Sequence, residues 1–455
     1  MTSDSSNKNG RPKDGGSRVP VGRFERLARL GVVAGRLAVG ALAEGTRRVA
    51  SGLPMSPGDL LLTAGNAERL ARELSRMRGA AMKLGQMLSL EADVTLPAPF
   101  AQALAILRSE GSYMPSAQLH GVLGRELGRG WRERLAFFEE EPIAAASIGQ
   151  VHRARTHDGR EIVLKVQFPG IAKSISSDVD NLGMLLRMAR ILPDGFDIKP
   201  MLQAVKVQLK RETDYEREAE SMERYRKLVG DDASFVVPTS VPELTTRRVL
   251  AMSFEEGVAL ADLWEGDYAA STRDAVGRAL QRQTLRELFE FRFMQSDPNF
   301  ANFLWRASDK RVVLLDFGSM VELEEAMVND YARLCRGAMH NDRDQVSAAV
   351  AELGWVEERD RSDCVDALIE LVMVACEPLR HRGRYDFGNT DLADRAREIG
   401  VDLAFGKGFF RPPPPAAMFL HRKLGGTYLV CAQLRARVDC RKLLTESLLA
   451  TDLLD

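Results

Sequence analysis

The chain has 455 residues, with 63 Lys and Arg against 64 Asp and Glu and a formal net charge of −1. Its length points to about three domain-sized units, and a balance this near neutrality makes no demand for a nucleic-acid partner. The five cysteines, Cys335, Cys364, Cys376, Cys431 and Cys440, are odd in number and show no CxxC spacing. That excludes a disulfide framework or a zinc site as the organising principle and makes a reducing compartment the default.

Residues 1–20 are rich in Ser, Gly, Asn and Lys without apolar periodicity, the composition of a disordered basic tail. Residues 1–50 carry ten Lys or Arg against four acids, so this stretch is +6 while the remainder is −7. Within 21–50, residues 27–43 read as an apolar, small-residue helix interrupted by Arg29 and Arg36. It is too short and too charged to span a bilayer, which takes about twenty apolar residues, and its long polar lead does not fit a signal peptide. The expectation is a helix lying on an anionic membrane surface; packing on the chain's own core is the competing reading. Gly31-Val32-Val33-Ala34-Gly35 also fits the small-xxx-small pattern of paired helices, a hint of a homodimer. Residues 51–135 read as a helical extension, with a strong helical pattern over 66–90 ending in Lys83-Leu84-Gly85-Gln86. Gly85 costs about 1 kcal/mol there relative to alanine, so close packing against another backbone is the physical reason to place it.

The stretch Ile143-Ala144-Ala145-Ala146-Ser147-Ile148-Gly149-Gln150-Val151-His152 sits where a nucleotide-binding loop belongs, with alanine at positions that usually need glycine. Alanine resists positive φ, so backbone N–H groups should approach phosphates differently there. In Glu161-Ile162-Val163-Leu164-Lys165-Val166-Gln167-Phe168, the residues Ile162, Leu164, Val166 and Phe168 share one face of a strand and leave Lys165 on the other. The intervening Asp158-Gly159 is a hairpin signal, so loop, strand, turn and lysine strand form one antiparallel meander. Residues 206–220 contain no Gly or Pro and read as one helix, with Glu212 and Glu218 about 120° apart on it and so free to serve different sites. Residues 248–257 read as a strand running into a hinge.

A long helix over 271–293 leads to Asp297-Pro298-Asn299-Phe300-Ala301-Asn302 and then Leu315-Asp316-Phe317-Gly318. Residues 302–305 and 312–315 read as two strands closed by the polar turn Ala307-Ser308-Asp309-Lys310, which brings Asn302 and Asp316 to one end. In a kinase-type cleft a strand lysine holds the α/β-phosphates, one aspartate faces the acceptor, and an asparagine and a second aspartate hold the metal. The order and spacing of Lys165, Asp297, Asn302 and Asp316 fit that scheme, with Mg²⁺ shared between the two oxygen ligands and phosphate. Residues 325–455 read as mostly helical, and Phe409-Phe410-Arg411-Pro412-Pro413-Pro414-Pro415 as a rigid connector in preference to a polyproline ligand.

The chain resembles the UbiB family of atypical kinase-like proteins, in its ubiquinone-linked, mitochondrial-type branch. Four motifs carry the resemblance: Lys83-Leu84-Gly85-Gln86, the alanine loop, Glu212-Thr213-Asp214, and Asp297-Pro298-Asn299 with Asp316-Phe317-Gly318. It extends over roughly residues 20–450 and implies an α+β, two-lobed protein-kinase-like fold with the N-terminal helical extension packed over the cleft. The N-lobe then covers 136–257 with inserted helices, and the helical C-lobe 258–455. It further implies ATP or ADP with Mg²⁺ as cofactors, Glu218 as partner of Lys165, and phosphate contact from Ala144, Ala145, Ala146, Ser147 and Gln150. Lys83 and Gln86 would reach into the cleft where a peptide otherwise docks, facing Glu212 and Asp214. Asp297 would act as base or water-orienting residue. Two departures turn the expectation away from peptide phosphorylation: the catalytic loop Gln295-Ser296-Asp297 has no lysine two residues on, and no Ala-Pro-Glu segment follows Gly318.

The implied activity is an ATPase supporting ubiquinone or isoprenoid-quinone biosynthesis. A kinase for a protein or lipid-like substrate and a nucleotide-gated scaffold for lipid precursors and biosynthetic enzymes are the alternatives. The implied partners are membrane lipids or quinone precursors and quinone-biosynthesis enzymes. The expected place is the membrane periphery on the cytoplasmic face of a bacterial-type cell, or the mitochondrial matrix side in a eukaryote. Deleting residues 1–45 should leave the remainder folded and lower co-sedimentation with anionic liposomes, and added salt should weaken binding of the intact chain. Equal co-sedimentation of the two would place the membrane contact elsewhere.

Overall fold

A computed structural model of the chain describes residues 113–188, 199–409, 411 and 413–453. The basic tail, the apolar helix with its pairing motif, and Lys83 and Gln86 lie outside the described residues.

The meander read from sequence forms the first sheet. Strands β1 (Phe137–Phe138) and β2 (Ala144–Ala146) both pair with β3 (Gly149–Arg155), which pairs antiparallel with β4 (Glu161–Gln167) in the register Val151 opposite Lys165. Gly159 takes φ +86° in the β3–β4 turn, the left-handed conformation that the Asp-Gly signal anticipates. The period-two face of β4 divides the lobe in two. Ile162, Leu164, Val166 and Phe168 pack with Leu119, Val122 and Leu123 of helix α1 (Ser116–Glu126) and with Trp131, whereas Val163 joins the larger core on the cleft side.

Helices α2 (Ile171–Met188) and α3 (Lys199–Glu212) are inserted after β4 and pack against each other. The single helix expected over 206–220 is two. α3 ends at Glu212, and α4 (Tyr215–Val229) starts afresh because the Asp214 carboxylate accepts from Arg217 N at 3.3 Å as an N-cap. Capping satisfies an amide that a continuous helix would have bonded to its own carbonyls, so a chain with high helical propensity still breaks there. β5 (Phe235–Val236) then leaves for a second sheet, and β6 (Val249–Ser253) returns to lie antiparallel to β4, with Leu250 opposite Lys165.

Past the hinge, β7 (Val258–Ala259) enters the second sheet at once. There Gly257 is pressed against the next strand, since a Cβ would lie 2.7 Å from the Leu304 Cβ. Helices α5 (Leu260–Glu265) and α6 (Ala270–Arg286) follow, and α6 widens into a π turn over Glu287–Phe291 that is closed by Arg292 at φ 49°. β8 (Phe293–Gln295) carries the chain to Asp297. The expected hairpin forms as β9 (Phe303–Arg306) and β10 (Arg311–Leu314), and the second sheet runs β5-β10-β9-β7. β11 (Met320–Glu322) pairs with β8, and only Leu323 and Glu324 separate it from α7 (Glu325–His340). The lower lobe is completed by helices α8 (Arg343–Glu352), α9 (Ser362–Ala375), α10 (Glu377–Arg380), α11 (Leu392–Val401), α12 (Pro415–Gln433) and α13 (Cys440–Leu449). α6 lies against both α12 and α13. Pro415 sits at the first turn of α12, where its missing N–H costs nothing.

Gly149 opens β3 where a Cβ would lie 2.4 Å from the Val166 carbonyl oxygen. Gly149→Ala should lower the urea midpoint by the equivalent of about 1–3 kcal/mol. Gly121→Ala in α1, with nothing within 4 Å of its added Cβ, should hold or raise the midpoint, since alanine is favoured in a helix by about 1 kcal/mol. Equal midpoints for the two variants would contradict the close approach of β3 to β4.

Candidate functional site

The cleft-side face of β4 aims Lys165 at α4. Its Nζ donates to Glu218 Oε1 at 2.6 Å and lies 3.9 Å from Asp316 Oδ1, with the Tyr215 ring centroid 5.1 Å away. Lys165 and Glu218 are both buried. Burial alone would lower the lysine pKa, but Asp316 and Glu218 together outweigh it and hold the ammonium above its ordinary value. Two carboxylates share one ammonium. Burial, reinforced by Asp316, pushes the Glu218 carboxyl up to about 7 against the pull of Lys165.

Asp316 reaches this cluster from the end of β10. Its Oδ1 accepts from Gly318 N at 2.9 Å, and its carbonyl accepts from the Gln295 amide of β8. Gly318 lies against Glu218, where a Cβ would be 3.3 Å from Oε2. The following Ser319 hydroxyl meets Ser296 Oγ at 2.8 Å and accepts from Gln208 Nε2 of α3 at 2.8 Å. An inserted helix, the catalytic loop and the segment after Phe317 are therefore tied at one buried point. Leu315 N donates to Asn302 O at 3.0 Å, which puts Asn302 and Asp316 side by side at the open end of the β9–β10 hairpin.

Asn302 closes a one-turn helix in which Asn299 Oδ1 accepts from Ala301 N at 3.1 Å, and its own Nδ2 donates to the Asp297 carbonyl at 3.3 Å. The Asp297 carboxylate is buried and accepts from Arg422 Nη2 at 2.9 Å. Arg422 belongs to α12, the helix in which Gly426 also presses on Pro298 so closely that a Cβ would lie 2.2 Å from the Pro298 Cγ. The Asp297 loop lacks a lysine of its own, and an arginine from α12 stands beside its aspartate. Sequence reading missed Arg422. Its only signal was the pair Arg422-Lys423 set among apolar residues of α12 with no acid within a helical turn.

The alanine loop is plain hairpin. Ala144, Ala145 and Ala146 pair with Val151, Gln150 and Gly149, a turn at Ser147 and Ile148 closes it, and no residue of it takes positive φ. Ala144 and Ala145 are exposed, Ala146 and Ser147 half-buried. Gln150, expected among the phosphate contacts, is buried and committed within the protein, because its Oε1 accepts from Met114 N at 2.6 Å and its Nε2 meets His152 Nε2 at 2.8 Å. Burial lowers the His152 pKa, and the neutral ring bonds the Glu139 carbonyl through Nδ1 at 2.9 Å. Glu212 is buried at the end of α3, and Asp214 caps α4 and lies 3.5 Å from Arg247 Nε. Their expected partners Lys83 and Gln86 lie outside the described residues.

Among the described residues no group of three His, Cys, Asp or Glu forms a protein cage for a metal. The paired oxygens of Asn302 and Asp316 fit Mg²⁺, which is bound by one or two protein ligands together with waters and substrate phosphates.

Residues 106–350 match the ABC1 atypical kinase-like domain. The chain is 40% identical over 432 residues to the Rattus norvegicus protein named atypical kinase COQ8B, mitochondrial, covering 94% of this chain and 81% of that protein. It is 35% identical over 433 residues to the Saccharomyces cerevisiae atypical kinase COQ8, mitochondrial, covering 94% and 85%. Among solved structures, Rv3197 of Mycobacterium tuberculosis, determined in complex with erythromycin, shares the fold with a TM-score of 0.59 at 24% identity, over 84% of this chain and 95% of that one. With a domain match over more than half the sequence and relatives of this identity aligned along most of their length, the chain belongs to the UbiB family of atypical kinase-like proteins.

Proposed function

We propose that the protein is a Mg²⁺-dependent ATPase that supports ubiquinone or a related isoprenoid-quinone biosynthesis from a membrane surface. The observation that carries the reading is the Lys165–Glu218 ion pair at 2.6 Å with Asp316 beside it, a buried lysine held in place by two carboxylates in the kinase-like order. Lys165 would hold the α/β-phosphates, Asn302 and Asp316 would hold Mg²⁺, and the hinge after β6 would offer backbone groups to adenine. Bound there, Mg²⁺ supplies charge neutralisation for the phosphate oxygens. Asp297 would orient the attacking water. Arg422 would fix the Asp297 carboxylate, and its Nε and Nη1, buried without a hydrogen-bond partner among the described residues, supply positive charge beside the transferring group.

Water is favoured over a peptide acceptor because β11 turns straight back onto β8 and leads into α7, leaving no segment after Gly318 on which a peptide would align. The quinone connection rests on kinship with the mitochondrial COQ8 proteins. Among the described residues no helix is long and apolar enough to cross a membrane; this reading gives surface attachment to the basic apolar segment before residue 50, which lies outside the described residues. Lipid precursors and biosynthetic enzymes are the partners this reading implies.

Radiolabelled ATP tests the reaction class. Release of free phosphate supports ATPase, label transferred to protein or lipid supports a kinase, and tight binding with neither supports a nucleotide-gated scaffold. Asp316→Asn removes a ligand charge and should abolish the Mg²⁺-dependent part of the thermal shift given by ADP or ATP; an unchanged metal-dependent shift would sink the assignment. Arg422→Met removes the 2.9 Å ion pair from the buried Asp297 carboxylate, which should cost about 3–5 kcal/mol in urea unfolding. It should also reduce phosphate release more than nucleotide affinity, and parent-like turnover would remove Arg422 from the site.

A further inference from the structure

α4 positions Glu218, but the ion pair with Lys165 does not by itself explain what holds α4 in place. Protein kinases use a long segment after the Asp-Phe-Gly aspartate for that purpose, and here that segment is reduced to the short β11. The other end of α4 carries Tyr225, seven residues beyond Glu218 and therefore on nearly the same helical face. Tyr225 is fully buried, and its ring lies 5.2 Å from Phe317 and 6.0 Å from Phe291. Its hydroxyl donates to Glu287 Oε1 and accepts from Gln283 Nε2 at 2.5 Å.

Glu287 has no exposure to solvent and opens the π turn that precedes β8. π turns recur at functional sites, and this one turns a carboxylate inward between three elements. Its Oε2 lies 3.0 Å from Lys423 Nζ, also buried. Lys423 immediately follows Arg422, so consecutive residues of α12 hold Asp297 on one side and, through Glu287, the far end of α4 on the other. A small cavity bordered by Tyr225, Gln283, Glu287, Lys423 and Pro298 lies at this junction, directly behind the catalytic loop.

We propose that the buried relay Tyr225–Glu287–Lys423 is a positioning device that clamps α4 so that Glu218 stays on Lys165 and Phe317 stays packed, without any activation segment. This rests on the ATP-site reading above. A relay of one hydrogen bond and one ion pair suits the task better than apolar contact alone, because its geometry is met in one arrangement and a displaced α4 would leave Glu287 buried without the tyrosine donor.

Tyr225→Phe keeps the ring on Phe317 and removes only the hydroxyl. If the relay acts through the Lys165 pair, the variant should bind MgADP about tenfold more weakly, the scale of one hydrogen bond to a buried charge, and should cause no further loss in a Glu218→Gln background. A parent-like affinity, or the same fold-loss in both backgrounds, would overturn the proposal. Hydrogen exchange gives a readout that needs no nucleotide: amides of α4 should exchange about tenfold faster in Tyr225→Phe while those of α1 keep parent rates. Parent-like protection of α4, or equal loosening of α1, overturns the relay. A parent chain that binds no MgADP sinks the ATP reading instead, and the exchange comparison alone then decides the relay.

Discussion

A buried ammonium between two carboxylates is the constraint around which the rest of the molecule is arranged. Lys165, Glu218 and Asp316 come from a strand, a helix and a hairpin end in different parts of the chain, and taking such charges out of water is costly unless the geometry is met closely. Each neighbouring feature serves that geometry. The two-sided burial of β4 fixes where Lys165 leaves the strand, the Asp214 cap sets where α4 begins, and Gly318 allows the Asp316 turn to lie against Glu218.

The lower lobe answers the same problem from the other side. α12 delivers Arg422 to Asp297, Lys423 to Glu287 and a glycine to the face of Pro298. A loop that would otherwise be set by its own lysine is set by a helix distant in sequence. The compensation is electrostatic and steric at once, and the loop is held from below as well as along its own backbone. Family membership and fold follow from sequence kinship and the domain match; the particular wiring of this loop is visible only in three dimensions.

Much of the site was legible in the sequence because its parts are local. The face of β4 is written in a two-residue period, the β3–β4 turn in Asp158-Gly159, and the hairpin that joins Asn302 to Asp316 in two short apolar runs around a polar turn. What stayed hidden depends on long-range partners or on competition between nearly equal local states. Propensity favoured an unbroken helix over 206–220, and a single carboxylate at Asp214 was enough to divide it. Gln150 sits within a motif that suggests phosphate, but a backbone amide of the preceding extension and His152 take its side chain. Arg422 carries no motif at all, since an arginine's role in a helix is set by what lies opposite it.

The 125-residue separation of Asp297 and Arg422 bears on how the chain becomes functional during synthesis. Domains are made from the N-terminus at about 5–20 residues per second, so the ribosome finishes the five strands of the first sheet, the Asp297 loop and the β9–β10 hairpin before α12 emerges. Through that interval Asp297 and Glu287 are without Arg422 and Lys423, which they meet in the finished fold. Assembly of these two ion pairs is therefore tied to the arrival of α12. A chain that stopped short of α12 would carry every kinase-like motif and still lack the two cations that meet Asp297 and Glu287 in the finished fold.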